Sequence, residues 1–307
     1  MNDLVICRRQ AEEEIAEIAH LSADAEAFDR HKALGDHTWL DLVHVGRRGI
    51  YGFTARRKAS SQLLGYAQVS WGNDTWSLEI VVHPMARKSE LGVAESLISR
   101  CVAEIGINGG GHVHVWLPHR NPDLEVSLRQ AGFSPGRDLI QLRRTLPLES
   151  DLARAEIQTR PFRVGVDEDA WLEVNNRAFA NHPEQGGWTR ETLEARQQET
   201  WFDPPGFLLH FRGERLAGFC WTKIHADAEP PMGEIYVIGV DPAFGGQGLG
   251  HKLCVAGLNY IASRHLHVGM LYVDATNENA IAMYTHLGFH PDHMDSAFVA
   301  DIAPTMA

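Results

Sequence analysis

Cysteine is scarce: four in 307 residues, at Cys7, Cys101, Cys220 and Cys254, and no two stand in CxxC spacing. That leaves no disulfide framework and no zinc ribbon, so a reduced, cytoplasmic protein is expected. Long apolar runs are missing too. No stretch approaches the ~18 residues that a membrane span needs, and the opening "MNDLVICRRQAEEE" has no apolar core of signal-peptide length. Neither export nor a membrane partner is expected. Positive charge is also short, with 28 Lys and Arg against 40 Asp and Glu for a net charge of −12. Nucleic-acid binding rests on cations that neutralise phosphates, so a nucleic-acid partner is not expected; an acidic body suits a small cationic or neutral substrate. The 17 histidines form no HExxH pair, and "HVHVW" (His112 to Trp116) alternates as a strand does, so no metal is expected. A monomer is the working expectation.

What is present is an ordinary soluble composition, 44% hydrophobic and 22% charged, in a chain long enough for two domains. The chain also repeats itself. His83-Pro84 is answered by Asp241-Pro242, Gly92 by Gly250, "AGF" at Ala131 to Phe133 by "LGF" at Leu287 to Phe289, and "LLGYAQVSW" (Leu63 to Trp71) by "RLAGFCWTK" (Arg215 to Lys223). The offsets are nearly constant, which means duplication. Each half opens on an amphipathic helical region (Glu12 to His20; Asp169 to Phe179). It then runs through alternating apolar segments to a strand, a Gly-containing turn, a helix, another strand and a short helix ending at Gly-Phe. "TLPLESDLARAEIQTRP" (Thr145 to Pro161) is polar and proline-bounded, as a linker would be. The expected domains are 1–150 and 151–307, of α/β class with a mixed α+β sheet.

The second turn, "GVDPAFGGQGLG", holds five glycines between Gly239 and Gly250 and leads into a helix. Unpaired N–H groups and the positive end of a helix dipole make such a turn an anion site, and glycine removes the side chains that would obstruct it. A dinucleotide GxGxxG beginning at Gly246 needs glycine at 251, and a Walker loop beginning at Gly245 needs lysine there; His251 excludes both. Further on, "LYVDATNENAIAMYTHLGF" (Leu271 to Phe289) supplies a strand that leads through Asn277 into a helix carrying Tyr284.

The order strand, "VDPAFGGQGLG", helix, strand, "N-x-x-A-x-x-x-Y-x-x-x-G-F" resembles the GNAT family of acetyl-CoA-dependent N-acyltransferases. With "VNNRAFANHPEQGGWT", "WFDPPGF", "WTKIH" and "GEIYVIGVDP", the tandem arrangement is similar to the branch of that family that completes mycothiol biosynthesis by acetylating the cysteine amine of cysteinyl-glucosaminyl-inositol. The resemblance implies two tandem GNAT domains, the first non-catalytic. It implies acetyl-CoA as donor, held by Ile238, Gly239, Val240, by Gly245, Gly246, Gln247, Gly248, Leu249, Gly250 and His251, and by Asn277, Glu278, Asn279, Ala280, Ile281 and Ala282. Ile80, Val81 and Val82 would hold a second acetyl-CoA in the first half.

Amine acylation needs a base, a polarised carbonyl and a proton for the departing thiolate. Glu234, just before the cofactor loop, is the expected base; the resemblance implies Tyr284 as the acid and a strand bulge at Ile238 to Val240, which Gly239 fits, opening room for the thioester. A sugar-thiol acceptor with an ammonium group calls for carboxylates and hydrogen-bonding side chains, and the resemblance implies Asp36, Glu184, Lys223, Glu234 and Tyr272 in that role. In the first half the position of Glu234 falls on Trp76 and that of Tyr284 on Leu128, while Glu90 stands where the loop's first required glycine belongs and would repel a pyrophosphate. The first half is therefore expected to be chiefly structural, closing one wall of the acceptor cleft through the Asp36 region. Another small-amine acetyltransferase, or one for peptide N-termini, would share the cofactor residues. A non-catalytic acyl-CoA sensor would keep the loop, but it would need neither Glu234 nor Tyr284.

Overall fold

The computed structural model describes residues 3–9, 13–43, 49–72, 75–119, 121–153, 157–180 and 185–305, side chains at 36, 37 and 40 excepted. Two compact units emerge: residues 1–138 with 294–307, and residues 139–293.

The first unit contains β1 (Leu4–Arg8), α1 (Glu13–Asp29), α2 (Asp36–Val43), β2 (Ile50–Arg57), β3 (Leu63–Gly72), β4 (Thr75–Val82), α3 (Val93–Ile107), β5 (Gly111–Leu117), α4 (Pro122–Gln130) and the start of β6 (Ser134–Thr145). The second takes up the rest of β6, followed by α5 (Ser150–Ala153), β7 (Arg160–Pro161), α6 (Glu168–Ala178), α7 (Arg190–Gln197), β8 (Phe207–Arg212), β9 (Arg215–His225), β10 (Met232–Val240), α8 (Leu249–Ser263), β11 (Val268–Asp274), α9 (Glu278–His286) and the start of β12 (His290–Ile302).

Strand order in the first unit is β1-β2-β3-β4-β5-β12, and in the second β6-β11-β10-β9-β8-β7. Neighbours are antiparallel except for one parallel pair in each unit, β4 with β5 and β10 with β11. Each parallel pair is bridged by a helical crossover, α3 or α8, as parallel strands require.

Period-two alternation sorts β9 cleanly. Phe219 and Trp221 point to one face, where with Phe207 and Val237 they pack under Trp171 of α6 and Leu193 of α7. Cys220 points to the other face, joining Ile235 and Leu271 beneath Leu253, Cys254, Leu258 and Ile261 of α8. Each buried side chain of this size contributes ~1.5–3 kcal/mol of transfer free energy. The first unit is built alike: Leu97, Ile98, Cys101 and Ile105 of α3 cover one face, and Ile18, Leu21 and Ala25 of α1 cover Tyr66 and Val81 on the other.

Two expectations change. The compact units do not divide at residue 150, because the last strand of each repeat begins in its own unit and ends in the other. Leu139 to Thr145 of β6 pair with β11, and Ser296 to Ile302 of β12 pair with β5. A repeat read along the chain records duplication but cannot record which sheet edge a strand joins. The expected linker is also more than a linker: Leu146 and Leu148 are buried in the second unit's core, with Leu152 and Ala153 of α5 packed against it.

Candidate active site

Ladder geometry places the site. β10 and β11 pair only at Gly233 with Gly269 and Glu234 with Met270, and beyond Glu234 the ladder ends. On its other side β10 stays paired with β9 through Val240. The Asp241 N–H donates to the Ala217 carbonyl at 3.0 Å, so by antiparallel alternation Gly239 faces β9 while Ile238 and Val240 turn their main-chain groups to the opened edge. Amide donors at an opened edge can stabilise an oxygen gaining negative charge.

The bulge lies elsewhere than expected. The β9–β10 register shifts between Ile235 and Val237, which makes Tyr236 the extra residue, and Gly239 is paired regularly. A side chain at Gly239 would meet Phe219 Cε1 and Cζ at 2.8 Å and Phe179 at 3.3 Å, so close packing is what requires glycine there. The bulge also corrects the repeat alignment. In the first unit the parallel ladder ends at Ser77 with His114 and the β3–β4 register runs unshifted, so Ser77 rather than Trp76 stands where Glu234 stands. Ser77 is no general base. The match of Tyr284 to Leu128 holds, because Asn277 and Asn121 cap α9 and α4 in the same way, each side chain accepting from the N–H three residues on.

Glu234 is buried at 8% exposure. His225 Nε2 lies 2.7 Å from Glu234 Oε2, within reach to donate a hydrogen bond to the carboxylate. Lys223 is the cross-strand partner of Glu234, and its Nζ sits 4.8 Å from the Trp201 ring centroid and 5.9 Å from that of Tyr236. Burial pushes the Tyr236 phenol up. Tyr272, at 38% exposure, accepts from Gln141 Nε2 at 2.7 Å, and Gln141 Oε1 in turn accepts from Arg143 Nε at 2.6 Å. Tyr284 is buried against Cys220 and Cys254 in the α8 face of the core. That burial, with the two thiols beside it, pushes its phenol up, so it stays protonated at neutral pH and is able to donate.

The loop follows β10. Asp241, 2% exposed, accepts from the Ala243 N–H at 2.9 Å and pairs with Arg177 at 2.9 Å, closing a 3-10 turn at Pro242–Phe244. Gly246 and Gly248 hold φ +74° and +69°, and a methyl at either would find nothing within 4 Å. The left-handed backbone explains these glycines, and the open space is what an approaching phosphate requires. Gly245 has ordinary φ −62°. Gln247 accepts from Arg212 of β8, which ties the loop to the sheet.

Leu249, Gly250 and His251 then form the first turn of α8, whose N–H groups have no partner within the helix. No acidic residue stands in that turn, and burial holds the His251 imidazole low, so it tends to neutrality. Asn277, Glu278, Asn279 and Ala282 are exposed at the start of α9, while Ala280 and Ile281 pack on the core. A cradle of this shape with an opened strand edge fits the pyrophosphate and thioester ends of acetyl-CoA.

The first unit's copy differs. Ile80 and Val82 are half-buried and Val81 is buried, and Gly92 caps α3 at φ +60°. Glu90 is exposed in the loop, and Glu95 stands in the first turn of α3 with Oε2 3.5 Å from where a Gly92 methyl would be. The Glu95 carboxylate thus stands beside the place where a pyrophosphate would sit, and Glu90 adds a second negative charge to the same loop.

Glu184 and the Asp36 side chain lie outside the described residues; Asp36 begins α2. His225, Gln141, Arg143, Trp201 and Tyr236 escaped the sequence reading. Gln141 and Arg143 lie in the first repeat and reach Tyr272 only because β6 joins β11. For His225 there was a signal, its place in "WTKIH" two residues beyond Lys223. Among the described residues no group of three or more His, Cys, Asp or Glu could hold a metal ion, and no helix is long and apolar enough to cross a membrane.

Comparison with known proteins agrees with this geometry. Residues 169–289 match the acetyltransferase (GNAT) family. The chain is 42% identical over 284 residues to a mycothiol acetyltransferase of Acidimicrobium ferrooxidans, covering 91% of each chain. Among solved structures, a GCN5-related N-acetyltransferase from Sphaerobacter thermophilus superposes with TM-score 0.77 at 22% identity, covering 100% of this chain and 98% of that one. A tandem GNAT protein from the clavulanic acid biosynthesis pathway does so at 0.71 and 15%, covering 99% and 100%.

Proposed function

The chain belongs to the mycothiol acetyltransferases of the GNAT family, and from that premise we propose that its second unit, residues 139–293, transfers an acetyl group from acetyl-CoA to the cysteine amine of cysteinyl-glucosaminyl-inositol. The observation that carries the site assignment is the end of the β10–β11 ladder at Glu234. A buried carboxylate and two outward-turned amides there share one opened edge, directly before a glycine cradle.

Acetyl-CoA supplies the acetyl group as a thioester. Glu234 takes a proton from the acceptor ammonium, which is largely protonated at neutral pH. Ile238 and Val240 offer N–H groups to the carbonyl oxygen as it gains charge. Tyr284, kept protonated by burial, donates toward the departing sulfur. Gly245 to His251 and Asn277 to Ala282 hold the nucleotide end. Lys223, Tyr272 and Glu184 meet the acceptor, whose polyol groups suit side chains that donate and accept. No metal takes part. Glu90 and Glu95 support a first half that does not turn over acetyl-CoA.

CoA release is followed with acetyl-CoA and cysteinyl-glucosaminyl-inositol, beside a panel of polyamines, aminoglycosides and peptides. Turnover with the cysteinyl conjugate is expected; turnover of a panel member with none on the conjugate overturns the acceptor assignment.

A further inference from the structure

Glu234 is not alone in its pocket. One carboxylate oxygen is engaged by His225 Nε2 at 2.7 Å, and the imidazole side chain is 26% exposed against 10% for the glutamate. The two residues sit near the ends of adjacent antiparallel strands, and the cross-strand cation Lys223 is gathered over Trp201 and Tyr236. A neutral imidazole in this place fixes the carboxylate rotamer and leaves Oε1 for the acceptor. An imidazolium converts the same contact into an ion pair, which stabilises the charged carboxylate and makes it a weaker base.

We propose that His225 is the positioning residue of the base: neutral, it aims Glu234 Oε1 at the acceptor amine, and protonated, it switches the base off. The inference rests on the reading of Glu234 as base. In the step it serves, an ammonium N–H bond breaks and an Oε1–H bond forms, while the His225 Nε2 proton stays on nitrogen. Charged and titratable groups around the pair are Lys223 on β9 and Tyr236 on β10, with Arg196 and Glu199 within its electrostatic reach; Asp227 and Glu229 follow His225 in the chain. Among these side-chain types only imidazole ordinarily changes charge near neutrality.

The test is the acid limb of log kcat/KM against pH, measured on the full chain at saturating acetyl-CoA. In the wild-type protein, read above the ordinary carboxylate range at about pH 5.5 and higher, two protons, one on the acceptor amine and one on His225, give a slope of two. His225→Gln keeps an amide donor near the Nε2 position but cannot titrate, so its slope should fall to one, with kcat at about pH 8.5 within ~3-fold of wild type. His225→Ala should lose ~10–100-fold in kcat with the KM for acetyl-CoA within ~2-fold, and added imidazole should restore part of the rate.

A slope of two in His225→Gln, or a wild-type rate in His225→Ala, overturns the inference. Glu234→Gln separates the two readings. If it is inactive while both His225 variants behave as wild type, only this inference falls; if it retains full activity, the assignment of the base falls first.

Discussion

Replacing Gly248 by alanine separates what the cradle does for the fold from what it does for the cofactor. Gly248 caps α8 at φ +69°, where an L-residue is strained by ~1–2 kcal/mol. A methyl there would touch nothing within 4 Å, so no clash adds to this cost. In a unit of this size each kcal/mol lowers Tm by ~2–4 °C, so a fall of ~2–8 °C is expected. The same methyl would occupy the space through which main-chain N–H groups reach a pyrophosphate. Loss of one charge-assisted hydrogen bond is worth ~1.5–3 kcal/mol, or ~10–150-fold in KM for acetyl-CoA.

Gly239→Ala should behave in the opposite sense. Its φ carries no strain, but its Cβ would lie 2.8 Å from two Phe219 ring atoms, so overpacking should cost ~1–3 kcal/mol of stability. Thermal unfolding with and without acetyl-CoA, together with steady-state kinetics, measures both quantities. A Gly248→Ala protein whose Tm falls as expected but whose KM for acetyl-CoA stays within twofold of wild type would refute the cradle argument.

Tyr284→Phe should lower kcat ~100-fold with little change in KM for acetyl-CoA or in Tm, because it removes a donor from a pocket the ring still fills; an unchanged kcat would exclude Tyr284 as acid. Calorimetric titration should show one acetyl-CoA per chain, since the first unit's loop carries Glu90 and has Glu95 beside Gly92, and two sites of similar affinity would refute that reasoning. Asp167 tests the stability of the second unit. Burial alone would raise its carboxyl pKa, but hydrogen bonds from the Arg160 guanidinium and from Arg163 overcome that and bring it to about 2. A carboxylate held below its unfolded value contributes stability above that value, ~3.9, and loses it as pH falls toward 2. Asp167→Asn should therefore cost about 2–3 kcal/mol in urea unfolding at pH 7, and the difference from wild type should vanish near pH 2.

Local signals carried far in this chain. Glycines at 246 and 248 announced a loop open to an anion because they carry no side chain to obstruct it. Asn277 announced a helix start because a short polar side chain satisfies an orphan N–H. The duplication, the placement of Glu234 before the loop and the missing tyrosine of the first half are all properties of order along the chain, and the sequence determined them by itself.

Tertiary structure decided the rest. Whether β10 bulges at Tyr236 or at Gly239 depends on cross-strand register, which an offset between repeats averages away, and this is why the counterpart of Glu234 proved to be Ser77 and not Trp76. Gln141 reaches Tyr272 because β6 pairs with β11, a choice made by competition between sheet edges far apart in sequence. His225 meets Glu234 because two strand ends lie side by side. Pairing across strands is a long-range contact, and no local propensity encodes its partner.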